Sequence, residues 1–79
     1  MSSGRYIVVF NDNVTSDDIT KYADDVKKNG GQVDVRYDET GGILNGFAAK
    51  IPDSFLENLK SLQGDVIKYI EVDSVVTTQ

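Results

Sequence analysis

Histidine and cysteine are both absent from this sequence, and that absence decides most of what its side chains can do. Without them there is no Ser-His-Asp or Cys-His nucleophile system, and no imidazole to serve as a general base near neutral pH. The 13 Asp and Glu side chains remain for acid–base work or for an oxygen-ligand metal site, but their spacing supports neither. Asn11-Asp12-Asn13 and Asp17-Asp18 fail the calcium-loop pattern, which requires a glycine at its sixth position to make the sharp turn. The first group reads as a loop and the second as the start of a helix. No catalytic residue, metal ligand or cofactor is therefore assigned, and the sequence reads as that of a protein other than an enzyme.

Charge and length narrow the partners. A net charge of −5, from 13 acidic and 8 basic side chains, argues against nucleic acid, whose phosphates call for a basic patch. It argues equally against an anionic membrane surface, and no stretch approaches the ~20 apolar residues of a membrane span. Met1-Ser2-Ser3-Gly4-Arg5 lacks the apolar core of a secretory signal, so a cytoplasmic location is expected. A composition 39% hydrophobic and 27% charged is that of a folded protein. Residues 1–79 amount to a single domain, one that buries only about 60% of its unfolded surface. Lacking disulfides and a Cys or His zinc site, the domain relies on its core or on a partner that binds only the folded form. Nothing in the sequence suggests more than a monomer.

The elements are legible from periodicity. Arg5 to Phe10 is a short β-branched and aromatic run and reads as a buried strand. A helix follows, with Thr15 or Ser16 as N-cap, Asp17 and Asp18 in its first turn, and an apolar stripe of Ile19, Tyr22 or Ala23, and Val26. Lys27 and Lys28 suit its C-terminal end and Gly30-Gly31 stop it. From Gln32 to Asp38 the chain alternates, with Val33, Val35 and Tyr37 on one side and Gln32, Asp34, Arg36 and Asp38 on the other. Glu39-Thr40-Gly41-Gly42 reads as a turn into a strand over Ile43 to Ile51. A second helix opens at Pro52-Asp53, with Asp53 or Ser54 as cap and Phe55, Leu56, Leu59 and Leu62 as its buried side, and Gly64 ends it. The last strand spans about Val66 to Val72, and residues 74–79 trail off as an extended tail.

Strand, helix, strand, strand, helix, strand predicts an α+β ferredoxin-like βαββαβ sandwich, a four-stranded antiparallel sheet with two helices on one face. The other face meets solvent or a partner. Phe47, by its bulk, is expected inward, which leaves Gly46 and Ala48 outward as a flat patch open to close approach by another backbone. On the last strand Ile70 and Val72 are expected to face in, with Ile67, Tyr69, Glu71 and Asp73 facing out. Taken alone, this is a solvated sheet face with a few exposed apolar side chains, and the tail is a frayed terminus.

Four stretches carry a likeness beyond fold class. They are Arg5-Tyr6-Ile7-Val8-Val9-Phe10; Asn29-Gly30-Gly31; Gly46-Phe47-Ala48; and Leu62-Gln63-Gly64-Asp65-Val66-Ile67 together with the closing Tyr69 to Gln79. Through them the whole chain resembles the inhibitor I9 family, the subtilisin propeptide-like proteins, and in particular its free-standing fungal inhibitors. The resemblance implies a partner, a subtilisin-family serine protease, and a mode of inhibition. The open sheet face, with Gly46, Ala48 and Tyr69, would dock on two parallel surface helices of the protease. Glu71 and Asp73 would cap the N-termini of those helices, where unpaired N–H groups and a partial positive charge favour carboxylates. The tail, Val75, Val76, Thr77, Thr78 and Gln79, would enter the active-site cleft like a product, with Val76 to Gln79 in the fourth to first subsites. Subtilisins generally favour large apolar groups in the first and fourth subsites, from which polar Gln79 and small Val76 depart. The resemblance also implies a chaperone role, because a domain that binds the folded protease can stabilise a folding intermediate like it.

Rival readings rest on the same scaffold. A cleaved protease propeptide would make the same contacts, but Met1 and Gln79 as the ends favour the free inhibitor. An acylphosphatase-like enzyme needs an anion cradle near the first loop, where Asn11-Asp12-Asn13 would repel phosphate. An RNA-binding domain needs a basic face with aromatics on the central strands, and a metal chaperone needs Cys-x-x-Cys.

Overall fold

A computed structural model describes residues 3–38 and 44–73 of the chain, with Ser3 as backbone alone. The apolar run seen in the sequence lies within β1 (Ser3–Phe10). Its pleat sends Tyr6, Val8 and Phe10 into the core cluster, while Val9, of opposite parity, lies outside that cluster. The first helix, α1 (Ser16–Lys28), is capped by Thr15, whose Oγ1 accepts from the Asp18 N–H at 3.2 Å. Asp17 and Asp18 occupy its first turn and Lys27 and Lys28 its last, as the helix dipole favours. Two glycines then do separate jobs. Gly30 takes φ +92°, the left-handed conformation that ends a helix, and Gly31 gives room: a Cβ there would lie 2.5 Å from the Lys50 carbonyl oxygen.

The remaining elements are β2 (Gln32–Arg36), β3 (Gly46–Pro52), α2 (Asp53–Lys60) and β4 (Ile67–Val72). The four strands form one sheet in the order β2-β3-β1-β4, every neighbouring pair antiparallel. This is the ferredoxin-like α+β sandwich. Ile19, Ala23 and Val26 of α1 and Phe55, Leu56 and Leu59 of α2 pack in one cluster with Val8, Phe10, Phe47, Ala49, Ile51 and Ile67 of the sheet. Phe10 is the aromatic centre, 5.3 Å from the Tyr22 ring and 5.7 Å from that of Phe47. The expected turn at 39–42 and Ile43 lie outside the described residues.

Several expectations about strand parity and capping are corrected. The pairing of β1 with β4 steps from Val9↔Tyr69 to Phe10↔Ile67, so Lys68 is an extra residue in a bulge. The bulge turns Ile67 inward, and the side chain expected to face out is fully buried in the core. Burying a side chain of that size contributes roughly 1.5–3 kcal/mol, which favours the bulge over strict alternation. A second shift, from Val33↔Ala49 to Val35↔Ala48, leaves Asp34 unpaired in β2. Val35 thereby moves to the open face and Arg36, opposite Phe47, to the helix side, the reverse of the expected alternation. Val72 does share a side with Tyr6, as expected, but at the end of an edge strand it is 69% exposed and lies outside the core. Finally, neither Asp53 nor Ser54 caps α2. β3 pairs through Pro52, which is itself the N-cap, and the helix starts at once with no side-chain cap.

Arg36 does not reach the helix side without partners. Its Nε and Nη2 donate to the Asp38 carboxylate at 2.8 and 2.7 Å, and its Nη2 also meets the Ser16 carbonyl at 3.5 Å. The Asp38 side chain is only 2% exposed. Hydrogen bonding to Arg36 holds its carboxyl below the ordinary value, against the opposing effect of burial. A forked, charge-assisted pair of this kind is among the stronger polar contacts a small domain can make.

Candidate functional site

Both helices lie on one face of the sheet, and the register lays out the other as cross-strand rows. The middle row runs Val35, Ala48, Ile7, Glu71 from β2 through β3 and β1 to β4. A row toward one end runs Gly46, Val9, Tyr69, and Tyr37 donates its N–H to the Gly46 carbonyl at 2.9 Å. The row at the other end runs Gln32, Lys50, Arg5 and reaches Asp73, whose N–H donates to the Arg5 carbonyl at 2.9 Å. The face is thus apolar through its centre and charged along one margin.

The residues expected on this face are not equally presented. Tyr69 is 40% exposed and Glu71 is exposed beside it along β4. Ala48 lies on the open face, yet its side chain is buried between its cross-strand neighbours Ile7 and Val35. Gly46 is buried as well, and the reason is internal: a Cβ at this position would come within 2.3 Å of the Val8 carbonyl oxygen and 3.2 Å of the Val9 Cα. Its glycine lets β3 approach β1, so the close backbone contact anticipated for a partner is made within the fold. The entry to β3 is further tied down by Asn45, whose Nδ2 donates to the Val14 carbonyl at 3.0 Å and to those of Asn11 and Asp12 at 3.3 Å.

The two carboxylates differ most. Glu71 is exposed and forms no ion pair among the described residues. Asp73 accepts from Arg5 Nε at 3.0 Å through a side chain only 7% exposed. Arg5, itself 47% exposed, also approaches Asp34 Oδ2 with Nη2 at 3.6 Å. Val75, Val76, Thr77, Thr78 and Gln79 lie outside the described residues, as does Ser74. Among the described residues no group of three or more carboxylates converges as a metal site.

Sequence reasoning missed Arg5, Ile7 and Val9 as members of this face because β1 reads as uniformly buried. A parity signal was present all the same. Arg5, Ile7 and Val9 alternate with Tyr6, Val8 and Phe10, and only the second set can share the core side with Phe47.

The fold is an α+β sandwich in which, among the described residues, both helices lie on one side of the sheet. No family model matches the chain. It is, however, 38% identical over 78 residues to "Serine proteinase inhibitor IA-1" of Pleurotus ostreatus, an alignment covering 99% of this chain and 100% of that protein. Serine proteinase inhibitor IA-2 of the same fungus matches with the same identity and coverage. The chain belongs to this family, the fungal serine proteinase inhibitors of the I9 type, and is not an enzyme.

Proposed function

We propose that this protein inhibits a subtilisin-type serine protease, docking through its open sheet face and placing its C-terminal tail along the substrate cleft as a product would lie. The observation that carries this reading is 38% identity to serine proteinase inhibitors over an alignment that covers 99% of this chain and 100% of theirs. A likeness confined to the core would speak only for the fold. Likeness over the full length also takes in β4 and the residues beyond it, where the inhibitory contacts would be made.

Three features of the domain support the mode. Tyr69 and Glu71 stand exposed on the open face of β4, the edge strand that leads into the tail. An exposed tyrosine supplies rigid, amphipathic contact area at small entropic cost. A carboxylate such as Glu71 suits a helix N-terminus, whose free N–H groups and partial positive charge would bind it. Asp73, the last described residue, is held to β1 by its own N–H, so the tail leaves from a fixed point. A free tail peptide would bind weakly, whereas tethering to a docked domain raises its effective concentration to ~mM and multiplies avidity by about 10² or more.

Titrating the activity of a subtilisin and of a chymotrypsin-fold protease with the full chain tests the proposal. The docking model predicts inhibition of the subtilisin at submicromolar inhibitor, with the second enzyme little affected, since it offers a different surface to the sheet. Equal inhibition of both would contradict the sheet-docking mode, and inhibition of neither would contradict the function.

A further inference from the structure

Arg5 and Asp73 are joined twice. The Asp73 N–H donates to the Arg5 carbonyl at 2.9 Å, and Arg5 Nε donates to Asp73 Oδ2 at 3.0 Å. The Asp73 side chain is 7% exposed, and the Arg5 guanidinium is steadied from a second direction by Asp34 Oδ2 at 3.6 Å from Nη2. Asp34 belongs to β2 and Asp73 follows β4, the two edges of the sheet. One guanidinium therefore links both edges across the open face, at the residue where the regular sheet ends and the tail begins.

We infer that Arg5 and Asp73 form a clamp that fixes where and in what direction the C-terminal segment leaves the sheet, with Arg5 as a positioning residue for inhibition. The inference deepens the reading of this chain as a tail-presenting inhibitor and rests on it. It also separates the two acidic residues that sequence spacing pairs. Glu71 is exposed toward a partner, whereas the Asp73 carboxylate is turned into its own sheet, so capping a helix of the protease is a task for Glu71. The gain from the clamp is preorganisation. Ordering the base of the tail before binding removes part of the conformational cost of association, and the effective concentration of a tethered segment depends on the stiffness and length of its link. Lysine would not replace Arg5, because only the planar guanidinium meets two carboxylates from fixed, divergent N–H groups.

The test uses the full chain with Arg5→Gln, with Asp73→Asn and with both, and reads two quantities. One is the inhibition constant against a subtilisin. The other is the exchange rate of the Asp73 amide in the free protein, taken relative to the Val8 amide of the core so that a general loss of stability cancels. The clamp predicts that each single substitution weakens inhibition roughly fivefold, the scale of one good partly exposed ion pair. It predicts that the double variant loses less than the product of the two single losses, because each single substitution already removes the Arg5–Asp73 contact. The relative exchange of the Asp73 amide should rise about as much in Arg5→Gln. If Asp73→Asn weakens inhibition while Arg5→Gln leaves it unchanged or improves it, the carboxylate acts on the protease and the clamp is overturned. An Asp73 amide that exchanges no faster in Arg5→Gln overturns it on its own. Should the unmodified chain fail to inhibit, the inhibitor reading falls separately, and the amide measurement still decides whether the clamp exists.

Discussion

The two faces of the sheet are made by the same strands and obey different rules. On the helix side, Val8, Phe10, Phe47, Ile51 and Ile67 are fully buried among the residues of α1 and α2, and these positions are constrained by volume. On the open side, Ile7, Val9, Val35 and Ala48 form an apolar centre with Tyr69 and Glu71 at one edge and a charged margin of Arg5, Lys50 and Asp73. The helix side holds the domain together. Among the described residues no helix packs on the open side, and its exposed groups are Tyr69 and Glu71 on β4 and the polar margin of Gln32, Lys50 and Arg5. On the proposed docking mode, stability and recognition are divided between opposite faces of one sheet. Substitutions on one face should move folding, and those on the other should move binding.

The largest effect should come from Phe47→Ala. Removing this ring from the core is expected to cost about 3–5 kcal/mol, most of what a domain of this size has to spare. Denaturant unfolding should show the loss. Long incubation with a subtilisin should then digest the variant, because a domain that opens offers its loops for cleavage. A variant that stays intact and inhibitory would break the division between faces, since the core side would then be dispensable.

A smaller effect is expected from Asp38→Asn, which removes the carboxylate charge from the forked pair with Arg36. The loss should be about 2 kcal/mol, the scale of a buried hydrogen bond to a charged group. This pair carries a pH signature. The folded protein holds the Asp38 carboxyl below its ordinary value through Arg36, so the pair stabilises fully above about pH 4. That contribution is lost as pH falls through the lowered folded value. Stability of the unmodified chain should therefore fall more steeply below about pH 4 than that of Asp38→Asn, as parallel melts across that window would show.

The smallest change in stability should come from Tyr69→Ala on the open side, less than about 1 kcal/mol for a half-exposed cross-strand pair. Inhibition should nonetheless weaken by about tenfold or more, as removal of a central aromatic contact does at protein interfaces. Unchanged inhibition would place the docking contacts elsewhere on the molecule.

Much of this division is readable in the sequence, and the exceptions have physical causes. The order of elements, a helix cap at Thr15 or Ser16, the Gly30-Gly31 stop and the inward Phe47 follow from periodicity and turn chemistry alone. Ile67, Val35 and Arg36 do not, because each depends on a register shift that only strand pairing reveals: period-two alternation cannot signal the extra residue at Lys68 or Asp34. Gly46 looks like a vacancy for a partner until β1 is seen to fill it. The pairing of Arg5 with Asp73 spans nearly the whole chain, a separation at which no local pattern carries information. The tail and the two acidic residues before it stand out in sequence by resemblance to a family, and of these only Glu71 and Asp73 lie within the described residues.

The central claim is that a docked domain delivers its own C-terminus to a protease, and one comparison tests it most directly. Subtilisin activity is titrated with the full chain and with a chain lacking residues 75–79. The account predicts tight inhibition by the full chain and a loss of about a hundredfold or more on truncation, the scale of a tethered second contact, with the melting temperature unchanged. Equal potency of the two chains would contradict it, for the open face alone would then be the inhibitor.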